Sequence, residues 1–241
     1  MRVRVGTSGW HYPHWVGSFY PPAMKPEEML AWYAGRFDTV EVNNTFYRLP
    51  PEGAVQAWRQ TVPPDFRFAA KGSRFITHMK KLKDPAPALA KFFGRVNLLG
   101  RKLGPILFQL PPHWPANPER LSEFLDALPG GHRYAFEFRD PSWHRDDVYK
   151  LLHRRGAAFC IFELAGAISP YTITADFAYV RLHGPAGKYE GSYSGEALEQ
   201  WAGRILSWPV DQAWIFFDND DRGFAARNAG ELRGLIESAL E

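Results

Sequence analysis

Three apolar runs of this chain carry charged or amide side chains at alternate positions: Glu41-Val42-Asn43, Glu137-Phe138-Arg139 and Arg181-Leu182-His183. In an extended strand, residues two apart share a face. Each polar pair therefore points one way while Val42, Phe138 and Leu182 point the other. An unpaired charge on a buried face costs several kcal/mol, so such groups are either paired for structure or held for chemistry. Glu137 is the candidate general acid or base. Glu41, Asp218 and His183 are the further catalytic candidates, because a second carboxylate raises a neighbour's pKa while an adjacent arginine lowers it.

The cations at strand ends are Lys71, Arg139 and Arg181, with Arg74 and His78 further into the loop after Lys71. They suit a phosphate or carboxylate, which arginine grips with two parallel bonds. The same side chains serve equally well to neutralise Glu41, Glu137 and Asp218. Asn43 and Gln109 close neighbouring strands and add amides to the substrate-binding set. Trp10, Tyr12 and Trp143 belong to segments rich in Gly and Pro, as do Phe46, Tyr47, Trp114, Tyr189 and Tyr193. Rings there either stack on a base or sugar or pack long loops over a site. A metal held by Glu, Asp and His from several strand ends is a third reading, giving a metal-dependent hydrolase or isomerase. No H-E-x-x-H spacing supports it and the nearby cations oppose it, so neither metal nor cofactor is expected. Gly6-Thr7-Ser8-Gly9 and Gly191-Ser192-Tyr193-Ser194-Gly195 miss the G-x-S-x-G elbow, and Gly187-Lys188-Tyr189 is not a P-loop.

These residues need a scaffold that brings strand ends together. Strand-like runs recur at Val3 to Gly6, Thr39 to Asn43, Phe66 to Lys71, Pro105 to Leu110, Tyr134 to Arg139, Ala157 to Glu163, Ala178 to His183 and Ala213 to Asp218. Helical spacing appears between most of them, as in Leu121, Phe124, Leu125 and Leu128, in Leu198, Trp201, Ala202 and Ile205, and in Leu232, Leu235, Ile236 and Ala239. Asp84-Pro85 and Asn117-Pro118 read as helix starts, a capping side chain before a proline. Eight strands alternating with helices over 241 residues predict one α/β domain, residues 1–241, folded as a TIM-type (β/α)8-like barrel. The segment Leu164 to Asp176 is too short and broken for a crossover helix, which predicts an irregular unit between the sixth and seventh strands. The runner-up, an open doubly wound sheet, lacks a G-x-G-x-x-G after the first strand.

Composition narrows the setting. Hydrophobic residues make up 45%, ample for a large core, and the one cysteine, Cys160, lies in an apolar run. That removes disulfides and suits a reducing cytoplasm. No apolar stretch approaches about 18 residues and no signal-peptide pattern follows Met1, so a cytoplasmic protein without membrane contact is expected. A net charge of +3 permits an anionic partner without requiring nucleic acid.

Taken together, Gly6-Thr7-Ser8-Gly9-Trp10, Phe19-Tyr20-Pro21, Glu41 through Arg48, Lys71 with Arg74 and Thr77-His78, Gly104-Pro105, Gln109-Leu110-Pro111-Pro112, Glu137-Phe138-Arg139, Ser142-Trp143 and Arg181-Leu182-His183-Gly184 resemble the YecE-like family, domain of unknown function 72. The resemblance runs from the first strand to Asn228-Ala229. It implies a TIM barrel and supplies no activity. One departure is Phe217-Asp218-Asn219-Asp220, where an asparagine-rich run is expected; the two aspartates add negative charge beside the eighth strand.

The expected function is an enzyme acting on an anionic small molecule or nucleotide by carboxylate acid/base chemistry. The alternative is a binding module, for nucleic acid or another ligand, that uses the same groups without turnover. An enzyme keeps its charges in the cleft, whereas a nucleic-acid binder extends a basic stripe outside it.

Overall fold

The computed structural model describes residues 1–241. Eight parallel strands form a nearly closed barrel: β1 (Arg2–Thr7), β2 (Thr39–Val42), β3 (Arg67–Lys71), β4 (Leu103–Leu110), β5 (Tyr134–Phe138), β6 (Ala158–Leu164), β8 (Phe177–Leu182) and β9 (Gln212–Phe217). A two-residue strand, β7 (Ala167–Ile168), pairs antiparallel with β6. The neighbours run β1-β9-β8-β6-β5-β4-β3-β2. The helices are α1 (Met29–Ala34), α2 (Asn44–Tyr47), α3 (Glu52–Thr61), α4 (Ala86–Val96), α5 (Pro118–Ala127), α6 (Asp146–Arg154), α7 (Gly195–Ser207) and α8 (Phe224–Leu240).

The remaining seam, between β1 and β2, is closed by a single bridge at Ser8 and Glu41, where Gly9 N–H donates to the Glu41 carbonyl at 2.9 Å. Below it the Tyr33 hydroxyl of α1 replaces the missing ladder. It accepts from Thr7 N–H at 2.9 Å and donates to the Thr39 carbonyl at 3.0 Å. The approach is so tight that a Cβ on Gly6 would lie 2.3 Å from that carbonyl oxygen, so only glycine fits.

Alternation sorts the strand residues into two cores. Phe68, Phe108, Phe136, Phe138, Val180 and Ile215 face outward and pack with the helices. Ala69, Leu107, Ala135, Cys160, Tyr179, Trp214 and Phe216 fill the barrel interior. The interior is therefore an apolar plug, and the charged positions sit above it at the C-terminal strand ends. Cys160 is a buried core residue, as its apolar context predicts.

Two helix starts behave differently. Asn117 caps α5, its side chain accepting from Arg120 N–H at 2.9 Å. Asp84 caps nothing: its backbone is left-handed at φ 44, and α4 begins after Pro85 without a side-chain cap. Its carboxylate faces Lys80 at 4.0 Å instead.

The connection from β6 to β8 contains no helix. In its place a strap carries two buried hydroxyls to the strand: Ser169 Oγ accepts from Phe162 N–H at 2.9 Å, and Thr174 Oγ1 accepts from Phe159 N–H at 2.8 Å. These satisfy backbone donors that would otherwise be buried unpaired. No helix is long and apolar enough to cross a membrane.

Candidate active site

At the mouth of the barrel the inward positions of β2, β5, β8 and the end of β9 converge on one side chain, the fully buried Arg181. Its Nη2 donates to Glu41 at 2.7 Å and to Asp218 at 3.1 Å, and its Nη1 donates to Glu137 at 2.9 Å. Glu41 also accepts from Ser8 Oγ at 2.8 Å and from the Tyr179 hydroxyl at 2.7 Å. The other Glu137 oxygen is bound by Arg139 Nε. Arg139 Nη2 then donates to His183 Nε2 at 2.8 Å, while His183 Nδ1 lies 3.0 Å from Asp218. A guanidinium only donates, so Nε2 is the acceptor and the ring proton sits on Nδ1, directed at Asp218.

Charge balance decides the protonation states. Burial alone would raise the Glu137 pKa, but Arg139 and Arg181 beside it hold the carboxylate well below its ordinary range. Burial likewise pushes Asp218 up, and Arg181 with the His183 hydrogen bond brings it below its usual value. Arginine, helped by His183, therefore outweighs burial at both carboxylates. The four groups that a metal reading calls on, Glu41, Glu137, Asp218 and His183, already surround a guanidinium where the cation would sit.

Lys71 is different. It is 7% exposed, yet its ion-pair range contains no carboxylate, and its Nζ lies over the Phe46 ring at 4.5 Å. Desolvation, reinforced by the charge of Arg181, lowers its pKa to about 8. The three-cation clamp expected from sequence thus reduces to one uncommitted cation, because Arg139 and Arg181 are spent on carboxylates. Arg74 is exposed in the loop after Lys71, where its charge, like that of Lys71, acts on His78. Gln109 Oε1 stands 3.5 Å from Arg181 Nη1 at the rim.

The remaining predicted residues divide. Asn43 faces a cavity of about 70 Å³ shared with Trp10 and Tyr12, and its buried Oδ1 has no donor. Tyr12 is tied down through its hydroxyl to the Ser8 carbonyl at 2.6 Å. Trp10 packs edge-on against Trp58 at 5.1 Å. Trp143 is fully buried, stacked on Phe138 at 4.9 Å with its indole N–H bound to the Trp114 carbonyl. Its part is to pack the β5 turn, away from the inward face.

Two members of the site, Ser8 and Tyr179, stood outside the candidate set, and two more, Phe46 and Tyr189, entered it only among the loop rings. Tyr179 lies two positions before Arg181 on the same inward face, so alternation could have found it; Ser8 has only Gly6 and Trp10 at that spacing. Phe46 and Tyr189 carried no spacing signal. Tyr189 reaches to 5.6 Å from the His183 ring because the chain folds back after Gly184, where φ is 115 and a Cβ would meet the Glu190 carbonyl at 2.3 Å.

Residues 4–241 match the family described as Protein of unknown function DUF72. The chain belongs to this family. It is 24% identical over 270 residues to UPF0759 protein YunF of Bacillus subtilis (strain 168), spanning 98% of this chain and 95% of that protein. The crystal structure of a DUF72 family protein from Thermotoga maritima MSB8 superposes with a TM-score of 0.89 at 30% identity, covering 98% of this chain and 100% of the other. A second, from Enterococcus faecalis V583, gives a TM-score of 0.83 at 18% identity over 98% and 95% of the two chains, a likeness of fold. The DUF72 relatives share the barrel, and none of their names carries an activity.

Proposed function

We propose that this DUF72 barrel is an enzyme acting at its C-terminal mouth on an anionic small molecule, one bearing a phosphate or carboxylate. The observation that carries the reading is Lys71, a nearly buried ammonium with no carboxylate in ion-pair range, which feels the one excess negative charge of a network of three carboxylates and two guanidiniums only from a distance. A substrate anion completes its pairing. With a pKa near 8 it is protonated at neutral pH and close enough to neutrality to give up a proton. Asp218, held ionised and 13% open to the mouth, is the matching base. His183 acts through Asp218 by orienting it, and Arg181, Glu41 and Glu137 hold the floor of the site rigid. Screening phosphorylated and carboxylated metabolites by thermal shift tests this: a ligand at 100 times its dissociation constant adds about 2.7 kcal/mol, and the response is to vanish in Lys71→Met. A wild-type response that survives in that variant sinks the assignment.

A second reading, a nucleotide or single-stranded nucleic acid at the same mouth, is favoured by the surface next to Lys71. A groove of about 660 Å³ there is lined by Tyr47, Arg48, Phe75, Lys91 and Arg95. Tyr47 is 71% and Phe75 46% exposed. The segment from Lys71 to Val96 carries seven Lys/Arg against the single Asp84 in a chain of net charge +3. Basic groups interleaved with exposed rings suit stacked bases on a charged backbone. Oligonucleotide binding that weakens steeply with salt, and is lost on Tyr47→Ala and Phe75→Ala, favours this reading; absence of binding at 50 mM salt removes it.

A further inference from the structure

The opposite end of the barrel holds a second charged cavity, independent of the mouth. At the N-terminal strand ends a cavity of about 290 Å³ is lined by Arg2, Arg4, Arg67, Arg133, His132 and Trp214 among eleven residues, none of them acidic. Two carboxylates reach these arginines from outside the lining. Asp38 binds Arg4 and lies 3.9 Å from Arg2, and Asp176 lies 3.4 Å from Arg133. Arg67 has no carboxylate in ion-pair range; its Nη1 is turned to the Pro64 and Phe66 carbonyls at 2.9 and 3.0 Å. Four guanidiniums meet two carboxylates within ion-pair range, with Asp65 acting on Arg4 from further off, so positive charge is in excess around one cavity.

The site is also built inward, and one of its buried polar groups lacks a partner. Arg4 is almost wholly buried and lies 5.3 Å over the Trp214 ring. The Trp214 indole N–H is buried with no acceptor. Burial lowers the Arg4 pKa, and the charges of Arg2 and Arg67 lower it further against the pull of Asp38 and Asp65. A cluster of like charges around an open space and a donor without an acceptor have the same remedy, an anion with several oxygens.

We propose that this basal cavity binds a small oxyanion of charge about −2, inorganic phosphate or a phosphate monoester, as a second ligand site separate from the mouth. Such an anion offsets the excess positive charge, and its oxygens match the paired donors of guanidinium groups. The interior plug of Ala69, Leu107, Ala135, Cys160, Tyr179 and Phe216 stands between the two ends. An anion below therefore does not occupy the substrate position above; its role is to hold the strand starts together.

The test is calorimetric titration of inorganic phosphate, at constant ionic strength in chloride, into the wild type, Lys71→Met, Arg67→Gln and Arg133→Gln, with folding of each checked by circular dichroism. Phenyl phosphate in a second arm separates free phosphate from a monoester. Saturable binding that persists in Lys71→Met and weakens at least tenfold in Arg67→Gln and Arg133→Gln is the expected result. Arg67→Lys keeps the charge and serves where Arg67→Gln fails to fold. Binding lost in Lys71→Met but intact in the basal variants places the anion in the mouth and overturns the proposal while supporting the mouth assignment. No saturable binding in Lys71→Met also overturns it.

Discussion

Glu137 faces Arg181 at 2.9 Å with both side chains closed to solvent. Arg139 takes the other carboxylate oxygen, so Glu137 is the negative charge shared by two guanidiniums. Glu137→Gln keeps the shape and removes that charge. Breaking a buried pair costs about 3–5 kcal/mol, which for a chain of this length lowers the melting temperature by roughly 6–20 °C at about 2–4 °C per kcal/mol. Scanning calorimetry reads this directly. A variant that melts beside the wild type but has lost turnover would return Glu137 to the acid/base role.

Asp218→Asn separates chemistry from scaffold. Arg181 keeps Glu41 and Glu137 in this variant, so the stability loss is to be smaller than for Glu137→Gln. Turnover of whichever metabolite the thermal screen identifies is to fall on the order of 100-fold or more, as for loss of a general base. Equal damage to both properties would make Asp218 another structural carboxylate.

Lys71→Met removes an ammonium that burial already disfavours, so the folded protein is expected to be as stable as the wild type or more so. Affinity for the mouth anion is to drop at least tenfold. In the wild type, turnover is to decline as pH rises through about 8, where the lysine loses its proton. A rate that stays flat to pH 9.5 would remove Lys71 as the acid.

Asp220 gives stability a pH dependence of unusual sign. Burial, outweighing its bonds to Trp15 and His14, raises its pKa from 3.8 to about 6. Between those values the native state holds more protons than the unfolded chain, so stability falls as pH rises through the window. The shift is worth up to about 3 kcal/mol at 1.36 kcal/mol per unit. Glu137 and Asp218 have the opposite sign: their contributions are present above the unfolded values of 4.5 and 3.8 and are lost as pH falls through their lower folded values. Urea denaturation of wild type and Asp220→Asn at pH 5 and 6.5 isolates the Asp220 share from those of Glu163 and Asp38, which have the same sign, and of His78 and His132, which have the opposite one. The variant is to change the difference in the direction of lost Asp220 stabilisation at pH 5. An unchanged difference would assign it elsewhere.

The barrel was legible because its strands are buried on both faces and read as continuous apolar runs; all eight predicted strands are present. The irregular unit after the sixth strand was legible for the complementary reason, a segment with too few periodic apolar positions for a helix. The mouth was legible as a set of inward residues but not as a balance of charge. Alternation places Glu137, Arg139, Arg181 and His183 inside; it does not say that Arg181 is shared three ways or that Lys71 is left out. Pairing across strands depends on register and side-chain reach, which no local pattern encodes. Trp143 shows the converse, a ring next to site residues in sequence that packs outward into the shell.

The strap that replaces the crossover helix beside β6 gives the barrel one thin wall. The amide hydrogens of Phe159 and Phe162 end on hydroxyls of Thr174 and Ser169. Lifting the strap frees both donors without opening the rest of the sheet. Their exchange with deuterated solvent is thus timed by local opening of one loop, while neighbouring amides in the β8–β9 ladder wait for the whole barrel to come apart.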